Sequence, residues 1–173
     1  MKSKFCPFCG ERTILKEIGD EGAVPYCASC GCALFDSPRP CVIVLAVNEK
    51  DEAVLIRQSY VSEKYPVCVA GYIKPRERAE ETAARELLEE TGLRAESLRY
   101  IGSYPHTAKE LLMLGFAVRV KKAPFFLSKE VDAAAWYSPE DALTAVKPGG
   151  AGQSLVRDCV ERDGAGNLHF LKV

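Results

Sequence analysis

The chain has 173 residues, enough for one ordinary domain or a domain with a small appendage. Nearly half are apolar, 47%, so a sizeable core can form, and 23 basic against 24 acidic residues leave a formal net charge of −1. That balance argues against a general nucleic-acid-binding surface and against an anionic membrane partner, and the apolar run CVIVLAV at 41–47 is far too short to span a bilayer.

The first residues, MKSKFCPFCGERT, lack the apolar central region of a secretory signal, so a reducing, cytoplasmic setting is expected. Five of the eight cysteines fall in the first 32 residues, and four of them form two CxxCG knuckles, Cys6/Cys9 and Cys27/Cys30. Each knuckle aims two sulfurs at one point, and the glycine after the second cysteine permits the tight backbone. Two such turns facing each other make a closed, four-thiolate zinc site, structural rather than catalytic. Cys32 is a spare thiol beside them. Cys41, Cys68 and Cys159 are isolated in apolar surroundings and read as small buried hydrophobes. Residues 1–35 therefore read as a zinc ribbon, too poor in large apolar side chains to fold without its metal. The loop between the knuckles mixes charge signs, which disfavours a nucleic-acid role for the ribbon.

An extended linker, DSPRP, opens a second domain over residues 36–173. CVIVLAVN is a β-branched run suited to a buried strand, and NEKDE then AVLIRQSY predict a hairpin with a second strand. YPVCVAGYI at 65–73 is strand-like. A helix follows over residues 79–90, with Ala83, Ala84, Leu87 and Leu88 on one side and Gly92 placed to end it in a left-handed turn. Residues 98–103 and 111–120 predict two further strands, with a loop YPHTAKE between them. AAAWYS at 133–138 is extended, PEDALTAV is a short helix opened by Pro139, and QSLVRDCVERD at 153–163 is a last amphipathic helix. A mixed sheet with interspersed helices is an α/β or α+β architecture.

Within the first helix, RELLEETG places Glu86, Glu89 and Glu90 at i, i+3 and i+4, where like charges repel. A solvated acidic face is the plain explanation, but it does not account for Arg85 amid the carboxylates or for Glu77 in a glycine-bounded loop before the helix. A cluster of hard oxygen ligands is what Mg²⁺ or Mn²⁺ takes, especially when substrate phosphates complete the shell.

The frame from Gly71 to Leu93 resembles the Nudix family. Its box, G-x5-E-x7-R-E-U-x-E-E-x-G-U with U aliphatic, is met at Gly71, Glu77, Arg85, Glu86, Leu87, Glu89, Glu90, Gly92 and Leu93. The resemblance implies an α/β/α sandwich around a mixed sheet, and hydrolysis of a nucleoside diphosphate linked to another moiety. Carried over by position, Glu86, Glu89 and Glu90 are the ligands of a catalytic Mg²⁺ or Mn²⁺, with Glu90 or Glu86 handling the attacking water. Glu77 and Arg85 form the pair that holds loop against helix, and a carbonyl near Gly71 completes the metal shell.

A four-cysteine ribbon before such a domain is similar to the NADH pyrophosphatase branch of the family, some of whose members act on NAD-capped RNA. VIVLAV, VAGYIKP, LMLGF and EVDAAAWYSPEDAL also resemble that branch. The chain departs from it where the branch carries S-Q-P-W-P-F-P-x-S: residues 103–111 read SYPHTAKEL, a polar loop expected to be more mobile. A second departure, Lys74-Pro75-Arg76, puts two cations beside the metal site as candidate phosphate contacts. Glu130 occupies the place of a further catalytic glutamate, with Glu110 as its rival. His106 is a candidate phosphate or base contact, and Tyr72 and Phe116 are candidate stacking partners for a base.

The resulting expectation is a metal-dependent hydrolase of a nucleotide-linked pyrophosphate such as ADP-ribose, a dinucleotide or FAD. Its rivals are an NADH/NAD pyrophosphatase with a divergent specificity loop and a non-catalytic, nucleotide-sensing regulator that keeps the fold. Relatives in the branch dimerise, so the resemblance implies a homodimer.

Overall fold

A computed structural model describes residues 3–162 and 168–173. The chain divides into two compact units, Met1–Pro38 and Arg39–Val173.

The first unit is a small antiparallel sheet in the order β1 (Ile14–Glu17), β2 (Ala23–Cys27), β3 (Cys32–Ala33). Its two knuckles are built alike. The Gly10 amide donates to the Cys6 carbonyl and the Gly31 amide to the Cys27 carbonyl, each at 2.9 Å. Both glycines have positive φ, 77° and 67°, a conformation that any side chain would strain.

The second unit is centred on β4 (Arg39–Val47), whose run of β-branched residues is buried on both sides. Its partners are β5 (Ala53–Arg57), β6 (Val69–Tyr72) and β8 (Leu111–Arg119), and the sheet is completed by β7 (Ser97–His106) and β9 (Ala133–Tyr137). Strand β8 runs parallel to β4 along its whole length, from Arg39↔Leu111 to Val47↔Arg119. The other pairings are antiparallel, so the sheet is mixed. Alternate residues of β4 feed two cores. Val42, Val44 and Ala46 pack with Ala83 and Leu87 of helix α1 (Ala79–Thr91). Cys41, Ile43, Leu45 and Val47 pack with residues of α2 (Pro139–Ala145) and α3 (Ala151–Asp158). Helices thus cover both faces of a mixed sheet, the α/β/α sandwich expected. Cys41, Cys68 and Cys159 lie buried in the α2–α3 side core as small apolar groups. Among the described residues no helix is long and apolar enough to cross a membrane.

The expected β4–β5 hairpin is present but short, paired antiparallel at Val47↔Ala53, because β6 occupies the first half of that edge and β5 finds its long partner in β9. Three expectations are corrected. The strand expected from residue 65 begins at Val69. The loop expected to be mobile at YPHTAKE is partly strand: β7 continues through His106, its last four residues paired with β8, and the rest of the loop is the 3₁₀ turn Thr107–Lys109 closed by Glu110 in a left-handed conformation. Helix α3 stops at Asp158, since the Cys159 carbonyl accepts from the Leu171 amide at 2.7 Å and the chain leaves as β10 (Val160–Arg162), paired with β11 (Leu168–Phe170). The end of that expected helix, Asp163, lies outside the described residues.

Candidate active site

Helix α1 is positioned at both ends. The Glu81 carboxylate accepts the Arg78 amide at 2.9 Å, and Glu80 and Glu81 place negative charge in the first turn. Gly92, at φ 76°, closes the helix with its amide on the Leu88 carbonyl. Its buried residues include Ala83, Leu87 and, unusually, Glu90, which is 5% exposed.

The carboxylates are distributed by one guanidinium. Arg85 Nε and Nη2 bind the two oxygens of Glu77 at 2.6 and 2.9 Å. Its Nη1 reaches Glu86 Oε1 at 2.6 Å and Glu89 Oε2 at 3.0 Å, and Nη2 also donates to the Tyr72 carbonyl at 3.3 Å. This grip holds Glu77 down at about 2, well below the usual carboxylate range. Arg85 correspondingly holds its proton more tightly than a free guanidinium.

Glu90 points the other way, into the protein. Gln58, itself buried, donates to Glu90 Oε1 at 3.0 Å, while Oε2 is buried with no hydrogen-bond partner. Burial pushes its pKa up to about 7; the Gln58 amide opposes the rise, and the Glu86 and Glu130 carboxylates add to it. Gly71 supplies the room for Glu86: a Cβ there would lie 2.0 Å from the Glu86 carboxyl carbon. Beside these groups Ser59, Tyr60, Lys129, Glu130 and Asp132 line an open cavity of about 530 Å³. Asp132 Oδ2 accepts the Ser59 amide at 2.7 Å, which ties the two walls together. The Tyr60 phenol is raised above its ordinary value by burial and by Glu130, Glu90 and Glu86, which places Glu130 in the same electrostatic neighbourhood as the helix carboxylates.

Glu77, Arg85, Glu86, Glu89, Glu90, Gly71 and Glu130 are therefore brought together. Tyr72 is exposed, with the Arg39 guanidinium 5.7 Å over its ring. Lys74 and Arg76 are exposed on the loop between β6 and α1. His106 and Glu110 belong to the β7–β8 connection, and no hydrogen bond joins either to the carboxylates among the described residues. Phe116 is corrected: at 2% exposed, it is packed edge-to-face with Tyr100 in the α1-side core, where no base can stack on it. Gln58, Tyr60 and Asp132 were missed by sequence reasoning. A polar residue just past a strand carries no periodic signal, and only the fold shows that Gln58 turns inward onto Glu90.

The residues suit two metals. The sulfurs of Cys6, Cys9, Cys27 and Cys30 all lie within 4.8 Å of one another, with Cys6–Cys30 at 3.9 Å and Cys9–Cys27 at 3.5 Å. A tetrahedral Zn–S bond of about 2.3 Å requires sulfurs about 3.8 Å apart, so the cysteines are preset for zinc. Among the described residues no other set of three or more such ligands is so closely gathered. The glutamates offer hard oxygens of the kind Mg²⁺ or Mn²⁺ takes, and Glu90 Oε2 is a buried oxygen that a cation would satisfy. Glu86 and Glu89 are turned toward Arg85, and joining Glu90 around one ion requires them to turn from it.

A family model described as the NUDIX domain matches residues 37–156. The chain is 29% identical over 158 residues to the NAD-capped RNA hydrolase NudC of Salmonella typhi, covering 91% of this chain and 60% of that protein. It thus spans about 60% of the length of that relative. Among solved structures, a Nudix hydrolase from Nitrosomonas europaea superposes with a TM-score of 0.65 at 21% identity, covering 83% of each chain. The Nudix domain of Shewanella oneidensis NrtR, in complex with ADP ribose, gives 0.62 at 13% identity, covering 77% of this chain and 90% of that one. At these identities the two structures speak to the fold.

Proposed function

The chain belongs to the Nudix family, and from that premise we propose that it is a divalent-metal-dependent hydrolase of the pyrophosphate bond in a nucleoside diphosphate linked to another moiety. ADP-ribose, a dinucleotide and FAD are substrates of this type. The observation that carries the reading is Glu90: a carboxylate on the buried face of a helix, one oxygen held by Gln58 and the other unpartnered, facing the same site as Glu86 and Glu130. A buried oxygen left unpaired costs about 1–3 kcal/mol, a cost that stability alone does not explain.

Glu86, Glu89 and Glu90 would hold Mg²⁺ or Mn²⁺, which when bound neutralises phosphate charge and acidifies the attacking water. A water oxygen attacks one phosphorus in line, the bridging oxygen leaves with the other phosphoryl group, and the water's proton passes to a carboxylate. Glu90, Glu86 and Glu130 are the acceptors on hand. Glu77 takes no proton; it holds Arg85, and through it the loop. Tyr72, its ring backed by Arg39, offers a stacking face for a base, and His106 and Glu110 are assigned to the rim. Zinc in the cysteine site is structural, and the assembly is proposed as a homodimer acting on a small nucleotide.

Release of AMP from ADP-ribose, NADH and FAD with Mg²⁺, compared with Glu89→Gln, tests the reading. Turnover in the parent and its loss in the variant are expected. No turnover of any substrate would sink the enzyme reading in favour of a nucleotide sensor. The second reading, an NADH/NAD pyrophosphatase, is favoured by the likeness to a protein named for NAD-capped RNA hydrolysis and predicts NADH cleaved far above the others.

A further inference from the structure

The loop that joins β6 to α1 carries two cations without partners. Lys74 and Arg76 are exposed, and neither side chain has an ion pair or hydrogen bond among the described residues. Their neighbours differ. Arg78 lies 3.7 Å from Glu80, Arg85 is shared among three carboxylates, and Arg39 is bound to the Lys109 carbonyl at 2.9 Å.

Arg76 also holds a conformation that its residue type disfavours, with φ at 70°. Glycine would sit there without strain. Such strain persists where the surroundings over-determine the backbone, and here they do. The Glu77 amide donates to the Lys74 carbonyl at 3.0 Å, and the Lys74 amide donates back to Glu77 Oε2 at 3.1 Å. Arg85 grips both oxygens of that same Glu77 while its Nη1 reaches Glu86 and Glu89. The two cations therefore stand on a fastened turn, tied through Glu77 and Arg85 to Glu86 and Glu89. Those carboxylates repel any anion approaching the site, and unneutralised positive charge on the loop tied to them is what an additional phosphate needs.

We propose that Lys74 and Arg76 bind a phosphate group additional to the scissile pyrophosphate, so that the preferred substrate is a pyrophosphate-linked nucleotide carrying a further phosphate. The inference deepens the hydrolase reading above and rests on it. The further phosphate can be a monoester on a ribose or an added unit in a longer phosphate chain.

The test compares two substrate pairs with Mg²⁺: NADH against NADPH, which differ by one ribose phosphate, and diadenosine diphosphate against diadenosine tetraphosphate. The full chain, Lys74→Ala and Arg76→Gly are assayed at low and high salt, and binding of the same four nucleotides is read by calorimetry. Arg76→Gly relieves the positive φ, so its folding is not at risk. The parent should favour the phosphate-richer member of one pair by about five- to thirtyfold, as two exposed ion pairs allow. Each variant should bring the ratio toward one, mainly through KM, and salt should erode the preference. The pair that shows the effect identifies the source of the phosphate. Equal use and equal binding of both members in both pairs would overturn the proposal, as would a preference untouched by either substitution. No turnover with the binding preference intact would fail the hydrolase reading alone.

Discussion

Gly71→Ala separates a residue needed for the reaction from one needed for the fold. Gly71 lies in β6, paired with Val42 of β4, and is not among the positive-φ glycines, so alanine brings no backbone strain. The effect is purely steric: the new Cβ would lie 2.0 Å from Glu86 Cδ and Oε1 and 2.4 Å from Cγ. Carbon atoms rest about 3.5–4.0 Å apart, so the carboxylate must retreat by roughly 1.5 Å. The clashing atoms are the far end of a flexible side chain, and the Glu86 carboxylate can swing away. An off-rotamer torsion costs about 0.5–1.5 kcal/mol, and loosening the contact with Arg85 adds up to about 1 kcal/mol. A loss of about 1–2 kcal/mol lowers Tm by about 2–8 °C.

Activity should suffer far more. A displacement of about 1 Å at a reacting centre can cost about 100-fold, and Glu86 moves further than that. Steady-state AMP release with Mg²⁺, alongside a thermal melt, reads both quantities. Gly115→Ala is the converse control, since its Cβ would lie 2.4 Å from Tyr104 Cε2 and 3.0 Å from Leu155 Cδ1 in the α2–α3 side core. Overpacking there should cost about 1–3 kcal/mol with a smaller loss of turnover. If Gly71→Ala keeps activity within about threefold of the parent (against the ~100-fold expected), Glu86 does not work where it is placed and the reasoning fails.

Arg85→Lys should loosen loop and helix together and lower kcat at least about tenfold, because an ammonium cannot reproduce the fork that serves Glu77, Glu86 and Glu89 at once; steady-state kinetics checks it. Glu77→Gln should lower Tm at neutral pH, with the gap to the parent closing in acid: Glu77 is depressed to about 2 from an ordinary 4.5, so its contribution is full above pH 4.5 and disappears as pH falls to 2. Melts across that range decide it. Gln58→Leu should destabilise by about 1–3 kcal/mol by stranding the second oxygen of Glu90, measured by urea unfolding. Cys27→Ser should abolish binding of about one equivalent of zinc, seen by elemental analysis, and expose the bonds of residues 3–38 to protease.

The legible parts were those that repeat or that carry a spacing. The β-branched run of β4 predicted a buried strand because burial on both faces leaves no polar alternation to confuse it. The CxxCG pairs predicted their cluster because a knuckle is a local structure, and the RELLEETG spacing predicted the helix that carries Glu86, Glu89 and Glu90 because a helical turn is one too. What could not be read was the extent of pairing. Nothing local in residues 41–57 says that β5 prefers β9, since that choice is settled when β6 claims the edge of β4. Tyr104 to His106 looked like loop because proline and polar residues break the pattern. They are held as strand by Leu111–Met113 across the ladder, and Tyr104 is fixed by its hydroxyl on Asp158 at 2.8 Å. Phe116 was misplaced for a related reason: an aromatic in a strand reads alike whether it faces core or cleft.

The acidic helix owes its tolerability to the asymmetry between its glutamates. Glu86 and Glu89 face outward to Arg85, which offsets their mutual repulsion with one shared cation. Glu90 receives none of that compensation. It sits among Leu87 and Ala83 on the buried side, with the neutral Gln58 amide rather than a cation donating to it. Had the helix served only as a solvated surface, its buried position at 90 would be filled more stably by an apolar residue, as its neighbours are. Arg85 supplies enough positive charge for the outer pair and none for the inner one. A divalent cation at Glu90 would restore that balance, and in doing so would draw Glu86 and Glu89 from the guanidinium. The loop bearing Lys74 and Arg76 would still be fastened, because Arg85 keeps its separate grip on Glu77.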